Sequence, residues 1–199
     1  MDPASKQKII ENYRNLFLKY GSGPEVGQWS EEGQRFRFRK LIQIADLKGR
    51  RVLDLGCGIG DLYPFLRERF GYVDYTGIDI VPEIVDYAAQ RYPRVPFQCC
   101  DLLCEEIKES FDYVLISGMF NNAIAECTEF LKEMCTAAFK HCSLGMGFNF
   151  LSTYHSYEDR GMSYHDPVDV LDFCLKNLTH KVTMEHHYDR AEVVVFAYR

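Results

Sequence analysis

From Arg51 to the end, short apolar runs alternate with amphipathic stretches, and this alternation decides the fold class before any motif does. The runs RVLDL (51–55), YTGIDI (75–80), VPFQCC (95–100), FDYVLIS (111–117) and SLGMGFNFL (143–151) have the length and composition of strands. Helical spacing fills the gaps. Leu62, Phe65, Leu66 and Phe70 share one face of 60–70, and Pro82 opens a helix carrying Ile84, Val85 and Ala88. Cys127, Phe130, Leu131, Met134 and Ala138 form a stripe over 123–141, and Val170, Leu171, Cys174, Leu175 and Leu178 form another after Pro167. Strands separated by helices pair in parallel, because the helix carries the chain back to the starting end. The expected architecture is therefore an open, doubly wound α/β sheet. The ending breaks the pattern. HKVTMEH (180–186) and EVVVFAY (192–198) read as two strands with a tight connection, so the last must run antiparallel.

Residues 1–50 offer no strand. They read as two charged helices, 4–20 and 30–47, flanking a Gly-rich break, YGSGPEVGQW, at 20–29. The expectation is a helical cap over one edge of the sheet, within the same domain as the core of 51–199.

Composition narrows the function. The 199 residues are 47% hydrophobic and 26% charged, enough for one sizeable core. A formal charge of −6 argues against a nucleic-acid partner. No apolar run approaches the roughly 20 residues that span a bilayer, so no membrane role is expected. MDPASKQKII lacks the pattern of a signal peptide. The eight cysteines include no CxxC pair, and no HxxH or HExxH motif occurs, so no metal is expected. The cysteines lie mostly in apolar runs, which suits a reducing, cytoplasmic setting.

The chemistry concentrates in Val52-Leu53-Asp54-Leu55-Gly56-Cys57-Gly58-Ile59-Gly60. An apolar strand ends in Asp54, glycines follow at alternate positions, and a helix begins. Glycines let a ligand approach the backbone closely. The spacing is GxGxG rather than the GxGxxG of a dinucleotide loop, and a carboxylate two residues before the first glycine would repel a pyrophosphate. It suits a ligand with positive charge. Asp79 ends the next strand, where a carboxylate can accept both hydroxyls of a ribose. Asp101 follows the third strand, where it can meet an exocyclic amine. Ser117 and Gly118 follow the fourth and leave room. An isolated Asp is usually a cap or turn residue, but this ordered set points to a nucleoside with a non-phosphate tail.

VLDLGCGIGDL, TGIDI, QCCDLL and FDYVLISGMF together resemble the class I S-adenosylmethionine-dependent methyltransferases, over residues 51–199. The resemblance implies a seven-stranded sheet of order 3-2-1-4-5-7-6 with strand 7 reversed, S-adenosyl-L-methionine as cofactor and S-adenosyl-L-homocysteine as product. It places Gly56, Cys57, Gly58 and Gly60 around the methionyl part, with Asp54 facing the amino end. Asp79 would hold the ribose, Ile80 would lie against the adenine, Asp101 and Leu102 would meet the adenine edge, and Ser117 and Gly118 would offer backbone contacts.

The sulfonium activates the methyl group, so the protein's task is to align the acceptor and exclude water. A base is needed only for a protonated acceptor. His155 is the first candidate, because imidazole accepts protons near neutral pH; His165 and the pair His186-His187 compete with it. Trp29, the single tryptophan, is expected as a lid over the cofactor or as an anchor for the N-terminal segment. Among Arg35, Arg37 and Arg39, one is expected to meet a carboxylate of cofactor or acceptor, and Arg37 points away from the face the others share. Acceptor candidates are Tyr13, Tyr20, Phe120, Asn121, Asn149 and Tyr154. The NPPY-type motif of amino- and amide-nitrogen methyltransferases is absent after strand 4. The leading reading is methyl transfer to O, N or C of a small molecule, by a monomer or homodimer. An RNA or protein acceptor, or a non-catalytic cofactor binder, stands as the alternative.

Overall fold

Side-chain parity in the central strands shows how the sheet is covered. In β1 (Arg51–Leu55), Leu53 and Leu55 face one apolar cluster and Val52 the other. β4 (Phe111–Ile116) splits Val114 and Ile116 from Tyr113 and Leu115, and β7 (Glu192–Tyr198) splits Val193, Val195 and Ala197 from Val194 and Phe196. Both faces are thus buried, which is why these strands read as continuous apolar runs.

The computed structural model describes residues 2–124, 126–155, 161–188 and 191–199. With β2 (Asp74–Asp79), β3 (Phe97–Cys99), β5 (Cys142–Leu151) and β6 (Val182–Glu185), the sheet has the order β3-β2-β1-β4-β5-β7-β6. Strands β1 to β5 pair in parallel, and β7 runs antiparallel to β5 and β6. The expected order and reversal are both present. β6 ends at Glu185 and β7 begins at Glu192, within one residue of the expected strand ends.

On one face, α5 (Cys127–Lys140) and α6 (Pro167–Asn177) bury Phe130, Leu131, Met134, Val170 and Phe173. On the other, α2 (Glu31–Leu41) and α3 (Leu62–Phe70) bury Phe38, Leu41, Leu62, Phe65 and Leu66. α4 (Pro82–Arg91) flanks β2 and β3. The second predicted helix stops early. After Leu41 the chain tightens into a single 3-10 turn at Ile42–Ile44, then extends at Ala45. An α-helix would turn Ile42, Ile44 and Leu47 in different directions; the break buries all three.

The cap differs from the expectation too. α2 lies on a sheet face, not over an edge. β5 carries Gly147 beneath it, where a Cβ would come within 3.2 Å of Leu41 Cδ1, and Gly145 beneath Ile44 of the 3-10 turn. α1 (Pro3–Tyr20) lies across the carboxyl ends of the strands, with Ile10, Tyr13 and Phe17 against Ile59, Val81 and Ile84. Asp2 caps it by accepting from the Ala4 and Ser5 amides, both at 3.0 Å. Lys6–Asp101 at 2.6 Å and Arg14–Glu83 at 2.7 Å tie it down.

Candidate functional site

β1 leads to β2 on one side of the sheet while β4 lies on the other, so the chain leaves a crevice beyond their carboxyl ends. The glycine loop lies there. The Gly56 and Cys57 amides both donate to Ile78 O, at 2.8 and 3.0 Å, which bends the chain over the end of β2. Gly58 has φ +52, and nothing lies within 4 Å of where its Cβ would be. A side chain there would project into the crevice, so the glycine keeps the backbone bare where a ligand approaches.

Two carboxylates flank the loop. Asp79 accepts from the Gly58 amide at 2.9 Å and the Val81 amide at 3.1 Å, locking the loop to the β2 end. Burial raises its pKa, partly offset by these amides. Asp54 is 2% exposed and accepts from the Tyr75 hydroxyl at 2.6 Å. Burial pushes its pKa to about 7, against the Tyr75 hydrogen bond and with the Asp79 and Asp61 charges adding. A carboxylate so placed calls for a cation.

Asp101 lines the same crevice, with its carboxylate on the Lys6 ammonium and the Leu103 amide. Burial raises its pKa, but these partners and Cys104 outweigh that and leave it lowered. Ile80, Leu102, Ser117, Gly118, Cys57 and Gly56 complete the predicted floor. Gly60 serves the turn from behind, at φ +80, and is not on the wall.

The roof comes from the N-terminal segment. Trp29 lies over Gly118, whose Cβ would come within 3.2 Å of Trp29 Cζ2. Arg37 stacks on the Trp29 ring at 3.6 Å and pairs with Glu192. Arg35 instead pairs with Glu68 on the surface, as its separate helix face requires. Tyr13 closes the other side, and burial raises its pKa, partly offset by the nearby Asn122 and Gln28 side chains.

The other acceptor candidates lie elsewhere. Tyr20 is exposed at the end of α1, and Tyr154 is exposed beyond β5. Phe120 is buried against Phe130 and Phe148. Asn121 is buried in the one-turn 3-10 helix after β4, and Asn149 is buried beneath Gly118. None of these lines the crevice. His155 packs against Tyr164 and is not on the wall either, because the chain after β5 folds back to bridge Ser152 and His165. His165 Nε2–H donates to Phe120 O at 2.9 Å, leaving Nδ1 for the Thr128 hydroxyl, and burial lowers its pKa. It is a structural histidine. Asn122, which follows the fourth strand, lines the wall; Gln34, Met119, Phe130 and Met134 line it without having been expected as site residues. Phe130 and Met134 were legible only as a helix stripe. No grouping of His, Cys, Asp and Glu suited to a metal occurs among the described residues. All eight cysteines, which fall among the described residues, are free thiols.

The donor set suits S-adenosylmethionine. Asp54 offers charge for an ammonium, Asp79 acceptors for hydroxyls, and Ile80, Leu102 and Met119 apolar surface for a flat ring. The chain matches the model of a methyltransferase domain over residues 52–138. It is 32% identical over 154 residues to a protein of Mycobacterium tuberculosis named as a methyltransferase, covering 72% of this chain and 90% of that one. It is 33% identical over 85 residues to the malonyl-[acyl-carrier protein] O-methyltransferase of Acetivibrio thermocellus, spanning only 30% of that protein. Magnesium protoporphyrin IX methyltransferase of Synechocystis, solved with bound SAM, superposes over 100% of this chain and 98% of its own, with TM-score 0.71 and 18% identity. A TehB-like methyltransferase of Corynebacterium glutamicum covers 100% of both chains, with TM-score 0.61 and 20% identity. This chain belongs to the class I S-adenosylmethionine-dependent methyltransferases, with S-adenosylmethionine as its cofactor.

Proposed function

We propose that the protein methylates a small-molecule acceptor, and that the acceptor atom is an oxygen that arrives ready to react. The observation that carries this reading is the roof. Tyr13 and Trp29 close the crevice above the glycine loop, so an acceptor must fit beneath them. When bound, the cofactor supplies an electrophilic methyl group on a positively charged sulfur. This chain's residues bind and orient. Asp54 would take the amino end, Asp79 the ribose, and Ile80, Leu102 and Met119 the adenine. Arg37, with Gln34 beside it, would meet a carboxylate of cofactor or acceptor.

The oxygen assignment follows from the wall's chemistry. No histidine lines the crevice among the described residues, and Asp54, the wall group with a pKa near neutrality, is committed to the cofactor's ammonium in this reading. A carboxylate is already ionised at neutral pH and needs no base. Several relatives that match over about a third of their length are named as O-methyltransferases, including one for fatty acids from Mycolicibacterium smegmatis.

The test begins with calorimetry of ligand-stripped protein against S-adenosylmethionine, S-adenosylhomocysteine and NADH. Micromolar binding of the first two and none of NADH is expected. A panel of carboxylates, phenols, amines and an RNA pool then follows, read by release of S-adenosylhomocysteine. Turnover of carboxylates supports the proposal. Turnover of RNA alone would replace it, and cofactor binding without any turnover would favour a non-catalytic role.

A further inference from the structure

Glu192 opens β7, is 3% exposed, and is not part of the crevice wall. Burying a carboxylate costs several kcal/mol unless its oxygens are engaged. Oε1 accepts from Asn149 Nδ2 at 2.9 Å, and Oε2 lies 2.8 Å from Arg37 Nε. Both partners lead back to the site. Asn149 Oδ1 accepts from the Gly118 amide at 2.7 Å. Arg37 lays its guanidinium on the Trp29 ring, 3.6 Å from the centroid. The indole in turn edges against Gly118. The contacts close into a ring: Trp29, Arg37, Glu192, Asn149, Gly118. Four separate stretches of chain meet in it, the first carrying both Trp29 and Arg37, and none but the Gly118 loop belongs to the recognisable cofactor motifs.

We propose that Glu192 and Asn149 are positioning residues of the methyl-transfer site, and that this ring is the latch holding Trp29 over the bound cofactor. Glu192 fixes the plane of the Arg37 guanidinium, and that plane carries the indole. Through Asn149 the same carboxylate fixes the Gly118 amide, so roof and floor are held in register by one buried group. Cofactor exchange requires the indole to leave Gly118, which means parting the Arg37–Trp29 stack. The latch rests on the crevice being the cofactor's site.

The test uses the full chain and the dissociation rate of S-adenosylhomocysteine. Glu192→Gln removes the charge and keeps the shape. Trp29→Leu removes the indole and leaves the buried ion pair intact. Arg37→Lys keeps a charge opposite Glu192 but loses the flat surface. Each is expected to release S-adenosylhomocysteine roughly tenfold faster, and the Glu192→Gln/Trp29→Leu double variant no faster than the quicker single. Trp29 is the only tryptophan, so its emission reports the roof directly. Ligand should shift that emission in the wild type and leave it unmoved in Glu192→Gln, a response that a loss of packing alone would not remove. Should Glu192→Gln fail to fold, Trp29→Leu and Arg37→Lys decide the question. Release rates within twofold of wild type in folded variants, or effects that multiply in the double, overturn the latch alone. A wild type that binds no S-adenosylhomocysteine overturns the cofactor site and the latch with it.

Discussion

At the scale of single residues, Asp54 sets the terms. Its pKa of about 7 lies above the ordinary value of 3.8, so the folded ligand-free protein holds a proton there that the unfolded chain releases. Stability from this group is complete below pH ~4 and is lost as pH rises through ~7. A bound ammonium reverses the preference. Affinity for S-adenosylhomocysteine should therefore fall by up to about tenfold per pH unit below ~7, measured by calorimetry from pH 8 to 5.5. Asp54→Asn should flatten that dependence, raise the melting temperature of ligand-free protein at pH 8, and weaken binding. Asp79→Ala should cost ~1.5–3 kcal/mol of binding, the scale of a charge-assisted hydrogen bond; a folded variant with unaltered affinity would show the ribose assignment to be wrong. His155→Ala should leave the turnover rate within a factor of two, since the ring packs on Tyr164 and is not on the wall. These residues also show what was legible. Asp54, Gly58 and Asp79 sit where a strand runs into a loop, and strand ends are visible in a sequence. Tyr20, Tyr154 and His155 depended on where connecting chain travels, which distant packing decides.

At the scale of elements, α1 is the informative piece. It contributes no fully buried residue, yet it supplies Ile9 and Tyr13 to the wall and Lys6 to Asp101. Removing residues 1–20 should leave a folded protein whose melting temperature changes little. Cofactor affinity should drop several-fold and turnover more steeply, because water enters as the roof opens. Equal turnover by the truncated protein would take α1 out of the active site. Strand extents were well marked in the sequence, β1 and β7 to the residue, because burial on both faces leaves an unbroken apolar run. The path of the N-terminal helices was not. Their amphipathic pattern states that a face must be buried, but not against which surface. The helix expected over 30–47 also hid a break, since Ile42, Ile44 and Leu47 look equally apolar in either conformation.

At the scale of the whole molecule, the topology followed from two facts: alternation forces parallel pairing, and a closing pair of strands without a helix between them forces one reversal. The cofactor crevice follows from that order, at the point where β1 and β4 part. The latch could not be foreseen, because Trp29, Arg37, Gly118, Asn149 and Glu192 converge only once the sheet has formed. Arg37 in turn depends on how deeply α2 is seated, and Gly147 sets that depth by leaving Leu41 direct access to β5. Gly147→Ala would push the helix outward by a few tenths of an ångström, since a Cβ would stand 3.2 Å from Leu41 Cδ1. Such a change should alter acceptor preference in a substrate panel while sparing the fold. The sheet beneath α2 thus offers selection a fine adjustment of the catalytic chamber, and an evolving lineage can retune what it methylates without altering any residue that touches cofactor or acceptor.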